Sequence, residues 1–591
     1  MGHLFLSRIR TGLVYLSILG MFAVLFGRLF YLHVWEHDRL LEIAENNRRQ
    51  FQVIPAQRGN IVDARGNLLA ATRTFITLGM DPHALREGDR EKWPELARLA
   101  GINMSDIDNA SRNLTRPGAN FPGEVQAVRW VVLARDLDED TYDAIRALGV
   151  RGVYGNRNFM RAYPGRELAA HVLGFINREE VAVTGIERVM DFYLRGQSGF
   201  RETERDGRRR ELAQFRGRQI APTAGLHVQL TLDQTVQSIV EREIERIVND
   251  YSPQGVSIIV SEPSTGAILA MGNYPSFDPN RFWEHPVDHH RNRSLTDVFE
   301  PGSTFKIVPA AAALNEGLVR EEDVFATGDE RVEFRGRVVR LPSDHRTFPT
   351  LTTREIVVKS SNRGVAHFGM LLGERRLYDY SRAFGFGESS GLGLGGEVRG
   401  ILHPVNRWDG LTITRLPMGH AISATPIQVH QATSAIANRG ILMTPRIIER
   451  VFDQDWQDVF RSRPEAIRRV VSAETALLLS DMLVEAVSDS GTARQAQIQG
   501  FRVAGKTGTT QKLIDGRYSN RHHVASFSGF FPADNPDLVI TVIVDEPNIP
   551  GTGYGGRVAA PAFRNIAEQL IPYRGIRPVQ GNNAFIASNH P

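Results

Sequence analysis

An apolar stretch near the N-terminus places the strongest constraint on what this chain can fold into. Residues 11–27 contain no charged side chain, and apolar residues resume after Arg28 over residues 29–32. About 20 such residues are enough to cross a bilayer as a helix, the one conformation that satisfies the backbone of a single spanning segment. We therefore predict a cytoplasmic tip and one transmembrane anchor within residues 1–36.

The charges that flank this stretch predict its orientation. Arg8 and Arg10 precede it, and no acidic residue occurs before Glu36. Positively charged flanks stay in the cytoplasm, so the chain beyond residue 36 is expected outside it. A cleaved signal peptide is the competing interpretation, but the apolar stretch is long for one and no cleavage site of small residues follows.

The rest of the chain is too long for a single hydrophobic core. With 591 residues, 42% hydrophobic and 23% charged, it has the composition of a globular protein with two or more domains. We predict a mixed, non-catalytic domain over residues 37–222, a sheet-and-helix domain over 223–572 and a polar tail over 573–591. The complete absence of cysteine excludes disulfides, a catalytic thiol and thiolate metal sites.

Two further classes of partner are weighed against the charge pattern. The pI is about 9.1, but the net charge is only +3 and no basic helix with interleaved aromatic residues occurs, so no nucleic acid is expected. The cluster His285, Asp288, His289 and His290 has the i,i+4 spacing of metal ligands, but Pro286 disfavours the helix that would align them. Because no further ligand motif is visible, we expect neither a metal nor a cofactor.

The residues most suited to catalysis lie in the turn at residues 300–306. Pro301 and Gly302 end an extended segment, and the alanines at 310–313 predict a buried helix after it. Ser303 then lies near a helix N-terminus, with Lys306 on the same helical face, so that the amine can reach the hydroxyl. This is the geometry of an activated nucleophile, although Ser-x-x-Lys alone favours an ordinary surface pair.

The scarcity of lysine makes Lys306 informative. Only five of the 70 basic residues are lysines, and Lys306 alone has a serine three positions before it. Arginine cannot lose its proton in a protein, whereas a buried lysine can, so a lysine at this position is a candidate base.

Two later clusters add to this pair. Residues 359–362 place two serines and an asparagine at the end of a predicted helix, which alone is an ordinary polar terminus. Residues 503–510 form a strand of small residues in which Gly505 and Gly508 would let an extended substrate approach the backbone. Strands predicted at 525–531 and 538–545 would lie in the same sheet, a strand pair is predicted at 256–261 and 267–271, and residues 58–70 predict a strand, a tight turn and a second strand.

The order of three motifs is the basis for a family resemblance. The motifs are Ser303-x-x-Lys306, Ser360-x-Asn362 and Lys506-Thr507-Gly508. With these motifs the chain resembles class B penicillin-binding proteins, the monofunctional D,D-transpeptidases of peptidoglycan synthesis, from the anchor to about residue 571. Residues 291–300, 533–536 and 545–547 are most similar to the division-specific branch, often called penicillin-binding protein 3, with the elongation branch as the alternative.

The resemblance implies the architecture and the partners. It implies an α+β fold, in which a β-lactamase-like serine transpeptidase domain has an antiparallel sheet with helices on both faces. This domain would follow a pedestal of the dimerisation type and one transmembrane helix, on the periplasmic side of the inner membrane. Implied partners are a stem pentapeptide donor, an acceptor amine, β-lactams, a membrane-embedded glycan-polymerising partner and other division proteins.

The resemblance also implies roles for the nucleophile and its neighbours. Ser303 would attack the carbonyl between the two terminal D-alanines, and Lys306 would take its proton. Lys306 would be kept neutral by burial and by the charge of Lys506. Ser360 would relay the proton to the departing D-alanine, and Asn362 would hold Lys306 and donate to the substrate amide.

A second set of implied roles concerns substrate binding. Lys506, Thr507 and Thr509 would bind the terminal carboxylate, with Gly508 beside them. The backbone N–H groups of Ser303 and Thr509 would form the oxyanion hole. A cross-link would form when an amine of a neighbouring stem releases the acyl-enzyme, and penicillins would trap Ser303.

Two residues depart from the family pattern. Pro309 is expected to kink or loosen the helix after Lys306, and Arg363 is expected to make the rim of the site more cationic.

A β-lactamase or D,D-carboxypeptidase is one alternative function, although no glutamate for water activation is recognisable. A non-enzymatic β-lactam-binding scaffold is the other, which the intact motifs oppose.

Overall fold

The computed structural model describes residues 8–117, 125–205, 211–551 and 554–578. Its helices, numbered in chain order, are α1 (Arg8–Phe30), α2 (His37–Arg48), α3 (Trp93–Ala100), α4 (Met104–Arg112), α5 (Glu139–Ala147), α6 (Ala170–Leu173), α7 (Gly185–Val189), α8 (Asp191–Leu194), α9 (Gln234–Tyr251), α10 (Arg293–Thr296), α11 (Ile307–Asn315), α12 (Thr353–Val358), α13 (Asn362–Ala383), α14 (Thr412–Arg415), α15 (Pro426–Ala437), α16 (Ala473–Ala486) and α17 (Gly555–Arg574). Its strands are β1 (Arg49–Ile54), β2 (Ile61–Val62), β3 (Leu68–Met80), β4 (Thr115–Pro117), β5 (Val125–Ala127), β6 (Val131–Leu137), β7 (Val153–Ala162), β8 (Gly199–Arg205), β9 (Glu211–Ile220), β10 (His227–Leu230), β11 (Gly255–Ser261), β12 (Ile268–Tyr274), β13 (Val324–Ala326), β14 (Arg331–Phe334), β15 (Arg337–Arg340), β16 (Thr350–Thr352), β17 (Ile401–Leu402), β18 (Ile422–Ser423), β19 (Ile441–Met443), β20 (Ile448–Phe452), β21 (Asp458–Arg461), β22 (Ala466–Arg469), β23 (Ala504–Ile514), β24 (Arg517–Phe531) and β25 (Leu538–Asp545). Residues 579–591 of the predicted tail lie outside the described residues.

The chain divides into two compact units. One comprises Met1–Gln57 and Arg195–Gly225, and the other comprises Arg58–Leu194 and Leu226–Pro591. The first unit contains the predicted apolar helix. Residues Ile9–Trp35 have a mean hydropathy of 2.0 and are long and apolar enough to cross a membrane. After α2, this unit forms an antiparallel sheet in the order β1-β8-β9.

The larger unit contains a five-stranded antiparallel sheet in the order β12-β11-β25-β24-β23. The predicted strand pairs are confirmed, because β11 pairs with β12, and β24 pairs with β25. The hairpin between β23 and β24 turns at Asp515 and Gly516, which both have positive φ, as a tight Asp-Gly turn requires. β23 is an edge strand of this sheet, so one of its sides is unpaired within it.

Helices cover both faces of this sheet, as the fold prediction stated. On one face, α9 and α17 pack their apolar residues against Ile258, Phe527 and Val542. On the other, α11, α13, α15 and α16 enclose a core that includes Phe305, Phe368 and Phe530. The side chains of all six residues are almost completely buried. The turn at residues 300–306 therefore lies at the edge of a closely packed core, which fixes its backbone.

A second sheet of the larger unit joins segments that are far apart in sequence. β21, β20, β10, β2, β3 and β6 are neighbours in this order, and β7 pairs with β3. The β2–β3 pair occurs where a strand, a tight turn and a second strand are predicted. β10 pairs with β2 in parallel and with β20 in antiparallel orientation.

Two glycine-containing stretches, residues 169–175 and 185–187, pack against each other beside this sheet. Gly174 and Gly185 have φ of +73° and +62°, and a Cβ on Gly174 would lie 1.9 Å from the carbonyl oxygen of Thr184. The neighbouring Glu187 side chain is fully buried and accepts from Arg58 Nε at 2.8 Å and Arg161 Nε at 2.6 Å. These contacts support a packing role for both stretches, because a buried carboxylate needs such partners.

Candidate functional site

The turn that contains Ser303 is a short 3₁₀ helix, Gly302–Lys306, which leads directly into α11. Gly302 has φ of +55°, and a Cβ there would lie 2.4 Å from Thr510 Oγ1 on β23. Its N–H donates to the carbonyl of Gly419 at 3.1 Å. Glycine is required because the turn is held between β23 and the 419 loop. Ser303 remains partly exposed, whereas Lys306 is 2% exposed.

Pro309 does not kink the helix after the turn. It lies in the first turn of α11, where an N–H has no helical partner in any case. The helix continues to Asn315 and is almost entirely buried. The predicted kink is therefore wrong, because the change from 3₁₀ to α geometry occurs between Lys306 and Ile307, before the proline is reached.

Lys306 reaches across the site to the second motif. Its Nζ donates to the carbonyl of Ser360 at 2.6 Å and to Asn362 Oδ1 at 2.6 Å, and lies 3.2 Å from Ser360 Oγ. Among the described residues, its hydrogen-bond partners do not include Ser303. A neutral amine has two N–H groups and one lone pair, so the two short bonds use both donors and leave the lone pair available.

Ser360 Oγ lies between two amines. Lys506 Nζ donates to it at 2.8 Å, and Lys306 Nζ is on its other side. One hydroxyl can accept from Lys506 and donate to the lone pair of Lys306, which makes a continuous proton path. Ser360 has φ of +58°, a strained conformation for a residue other than glycine. The strain places the hydroxyl and the carbonyl of the same residue within reach of Lys306.

Burial and mutual repulsion set the charges of the two lysines. Burial, and next the positive charge of Lys506, lower the pKa of Lys306 well below its ordinary value, while Asp344 opposes this shift. Burial lowers the pKa of Lys506 to about 7. The direction of the Lys306 shift favours the neutral amine, and Lys506 is partly protonated near pH 7, a division of roles that suits one base and one anion-binding group.

Asn362 is held at the start of α13 by Asp344. The Asp344 carboxylate accepts from Ser361 Oγ at 2.7 Å and from the backbone N–H groups of Asn362 and Arg363. Asn362 Nδ2 donates to the carbonyl of Ser343 at 2.8 Å, which leaves its second N–H for a ligand. A carboxylate at a helix N-terminus is favoured by the helix dipole.

Arg363 does not line the cleft that contains Ser303, so it adds no positive charge there. Its side chain is buried, and its guanidinium donates to the carbonyls of Thr327, Gly328 and Pro342. These hydrogen bonds connect residues 327–328, which precede β14, to the start of α13. The expectation was wrong because the sequence did not indicate that unpaired carbonyls would surround this position.

β23 forms the opposite wall of the site. Thr507 Oγ1 is 2.9 Å from Thr492 Oγ1, and Thr509 Oγ1 accepts from the N–H of Gly555 at 2.9 Å. A Cβ on Gly508 would lie 2.3 Å from Ser526 Oγ and 3.1 Å from the carbonyl of Pro301. This glycine allows the turn at residues 300–306, rather than a substrate, to approach closely.

Five of the predicted site residues line one cleft of about 770 Å³. They are Ser303, Ser360, Asn362, Thr507 and Thr509. The buried amines of Lys306 and Lys506 reach Ser360 from beneath, as described above, and Gly508 lies on β23 between two of the lining threonines. None of the described residues that line the cleft is Asp or Glu, whereas Lys359, Arg494 and Arg557 contribute positive charge.

Two family models match this chain. The model described as "Penicillin binding protein transpeptidase domain" covers residues 256–568, and the one described as "Penicillin-binding Protein dimerisation domain" covers residues 53–230. The chain belongs to the class B penicillin-binding proteins. The matched transpeptidase region of this penicillin-binding protein contains all three motifs, and the dimerisation region covers most of the predicted pedestal.

Relatives of this penicillin-binding protein match over almost its whole length. Stage V sporulation protein D of Bacillus subtilis is 33% identical, with 96% of this chain and 87% of the relative covered. Peptidoglycan D,D-transpeptidase FtsI of Escherichia coli K12 is 31% identical, with 95% and 91% covered. The crystal structure of penicillin binding protein 3 from Mycobacterium tuberculosis with aztreonam has a TM-score of 0.67 and 28% identity, with 89% and 99% covered.

Sequence reasoning missed two residues that support the site of this penicillin-binding protein. Asp344 is separated from Asn362 by 17 residues and belongs to no recognisable motif, so only the folded chain places it at α13. Thr492 contacts Thr507 although it precedes β23 by a long connection. No periodicity or local spacing could have predicted either contact.

The histidines considered as metal ligands have other neighbours. His285 follows the 3₁₀ turn Pro279–Glu284, and His289 and His290 lie in a second 3₁₀ turn, Val287–His290, so no single helix aligns them. His285 Nε2 accepts from the N–H of Asp278 at 3.3 Å, and His290 Nε2 lies 3.1 Å from the carbonyl of Phe282. Within the described residues, no group of three or more His, Cys, Asp or Glu side chains is placed to bind a metal.

Proposed function

We propose that Ser303 is the nucleophile of a peptidoglycan D,D-transpeptidase that cross-links stem peptides ending in D-alanyl-D-alanine. This proposal rests on the hydrogen-bonded series Lys506, Ser360 and Lys306, which lies at a cleft that exposes Ser303. The series provides a neutral base, a hydroxyl relay and a cation within one hydrogen-bond network. An amine released by peptide cleavage needs such a proton source.

In the first half-reaction, Ser303 Oγ attacks the carbonyl between the two D-alanines and its proton passes to Lys306. Direct contact between these groups is expected in the substrate complex, where catalytic hydrogen bonds tighten. The N–H groups of Ser303 and Thr509 stabilise the oxyanion. The C–N bond then breaks, and the departing D-alanine receives the proton through Ser360, which leaves an ester on Ser303.

In the second half-reaction, an amine of a neighbouring stem attacks this ester. Its proton returns through the same groups, the new amide bond forms the cross-link and Ser303 regains its hydroxyl. The terminal carboxylate of the donor binds Lys506, Thr507 and Thr509 before cleavage, because a cation and two hydroxyls suit a carboxylate. β-Lactams, which resemble the D-alanyl-D-alanine end, acylate the same serine.

The lining of the cleft favours transfer over hydrolysis. Class A β-lactamases use a glutamate to activate the water that releases their acyl-enzyme. The described lining contains no carboxylate side chain that could act in this way. An acyl-enzyme without such a base is expected to persist until an amine arrives.

A donor and acceptor assay tests the proposed function. The full-length protein in detergent is given a stem pentapeptide and a second stem peptide with a free amine, and the products are separated by mass spectrometry. We expect D-alanine release with formation of the cross-linked product. Release of D-alanine with hydrolysed donor alone would indicate a carboxypeptidase, and the absence of any release would reject the proposal.

The pH dependence provides a separate test of Lys506. Because its pKa is about 7, the fraction of charged Lys506 falls as the pH rises above this value, so kcat/KM for the carboxylate-bearing donor should fall about tenfold per pH unit. In the Lys506→Arg variant the arginine cannot lose its charge, so the decline of kcat/KM at alkaline pH should disappear, whatever the absolute rate.

The matched control is Lys512→Arg. Lys512 bonds to Asp545 and Glu546 outside the cleft, so this variant should keep the decline. If Lys506→Arg retained the same decline as the wild type, another group would control the pH dependence.

We also propose a septal role with the catalytic domain in the periplasm. The similarity of residues 291–300 and 533–536 to the division branch supports the first point, and Arg8 and Arg10 before α1 support the second. A glycan-polymerising membrane protein is the proposed partner of the anchor and the 37–222 region. A fluorescent fusion should concentrate at the division septum, and labelling dispersed along the side wall would contradict this role.

A further inference from the structure

A second cavity of about 490 Å³ adjoins the cleft and shares Ser343, Met418 and His420 with it. We call it the arginine cavity, because three arginines line it. They are Arg340, Arg363 and Arg415. None of these three arginines has a role in the proposed catalytic mechanism.

One nitrogen of Arg415 lacks a hydrogen-bond partner. Its Nη1 is buried and has no such partner among the described residues. Burial, and next the nearby charge of Arg340, lower the pKa of Arg415 below its ordinary value, while Tyr518 and Asp409 oppose this shift. Arg340 is exposed at the end of β15. Two guanidinium groups held close together, one with an unsatisfied buried donor, favour the binding of an anion.

The acidic residues of the arginine cavity do not neutralise this pair. Glu300 accepts from Tyr518 Oη at 3.1 Å and from the N–H of Ala421 at 3.1 Å, and lies 3.1 Å from His420. Glu330 has a side chain that is 68% exposed, and it lies 3.7 Å from Arg363. Among the described residues, their hydrogen-bond and ion-pair partners are therefore groups other than Arg340 and Arg415.

The position of the arginine cavity relates it to the substrate. Tyr518 on β24 lies opposite Leu513 of β23, and Leu513 is four residues beyond Thr509, or about 13 Å along an extended strand. The proposed site for the terminal carboxylate is at Lys506, Thr507 and Thr509. A peptide that extends along β23 from this site passes the arginine cavity several residues away from its C-terminus.

We infer that the arginine cavity is a second carboxylate subsite, which selects stem peptides with a free carboxylate through Arg415 and Arg340. This inference rests on the proposed transpeptidase function and adds a specificity determinant to it. The carboxylate can belong to a residue upstream of the two D-alanines in the donor or to the acceptor stem. In both cases the guanidinium of Arg415 would gain the acceptor that it lacks in the structure.

The test compares peptide pairs that differ in one charge. In the donor arm, two N-acetylated peptides ending in D-Ala-D-Ala carry the side-chain carboxyl of the preceding residue either free or amidated. In the acceptor arm, one donor is used with an amine acceptor whose carboxyl is free or amidated. The wild type should prefer the free acid by about tenfold in kcat/KM in one arm, and Arg415→Gln should bring this ratio close to one.

Two further variants keep the test decisive. Arg340→Gln, at the exposed rim, should also reduce the ratio, while Arg337→Gln should preserve it, because Arg337 is exposed on the same strand but does not line the cavity. Adduct formation with benzylpenicillin verifies that each variant is folded. If Arg415→Gln gives no adduct, Arg340→Gln decides the result.

The outcomes separate this inference from the proposed function. A protein that neither releases D-alanine nor forms the adduct would reject the transpeptidase proposal itself. A protein that does both, but shows equal rates for acid and amide in both arms, would overturn only the second subsite. An unchanged ratio in both Arg415→Gln and Arg340→Gln would also overturn it.

Discussion

Replacing Ser303 by alanine is expected to lower D-alanine release and cross-linking by about 10⁶-fold, the scale of loss when a catalytic nucleophile is removed. The hydroxyl is the only group of this residue that can form the ester, and the cleft exposes it to substrate. Thermal unfolding should hardly change, because Ser303 is only partly buried and its loss leaves no buried charge unpaired.

Ser389→Ala serves as the control for this variant. Ser389 is exposed, donates to Glu397 and does not line the cleft. Its activity should therefore equal that of the wild type. Cross-linking by Ser303→Ala at a rate within tenfold of the wild type would show that another residue is the nucleophile.

Replacing Lys306 by methionine is expected to lower acylation of Ser303 by about 10⁴-fold, the upper range for a general base. Methionine has a similar length and no basic nitrogen, so the proton of Ser303 has no acceptor at this position. The carbonyl of Ser360 and Asn362 Oδ1 also lose their common donor. Rapid-quench measurement of adduct formation with benzylpenicillin gives the acylation rate directly.

The same variant should change how stability depends on pH. The pKa of Lys306 lies well below its ordinary value in the folded state, so the unfolded state binds more protons at neutral pH. Stability of the wild type therefore rises with pH up to the unfolded pKa near 10.4, by up to about 1.4 kcal/mol per unit from this residue. Lys306→Met removes this contribution, so its stability should rise less steeply between pH 7 and 9.

Lys92→Met is the control for the stability measurement, since Lys92 is partly exposed and pairs only loosely with Asp89 at 3.7 Å. Denaturant unfolding at several pH values provides the slopes for the three proteins. Equal slopes in the wild type and Lys306→Met would mean that Lys306 keeps its proton in the folded state, and its role as a base would be lost.

Local patterns were sufficient to predict much of the fold. Apolar length predicted α1, and alternation with turn residues predicted the pairs β11–β12 and β24–β25. The second sheet could not be predicted in this way, because β10 pairs with β2 and β20, which lie far away in sequence. Such pairings depend on the packing of the whole unit and leave no local period in the sequence.

The motifs of the site could be predicted from the sequence, but the residues and backbone conformations that position them could not. The spacing from Ser303 to Lys306 and the rarity of lysine are visible in the sequence, and the structure brings Lys306 and Lys506 to Ser360 in a cleft that Ser303 also lines. The left-handed backbone of Ser360 has no sequence signal, because serine rarely adopts it. The roles of these residues remain predictions that the variants above test.

The most direct test of the central claim is the mass of the full-length protein after treatment with benzylpenicillin, followed by peptide mapping. The account predicts a single added penicilloyl group, stable over many minutes, on the peptide that contains Ser303. An adduct on a different residue, rapid loss of the adduct by hydrolysis, or no adduct at all would contradict the claim that Ser303 forms the acyl-enzyme of a transpeptidase.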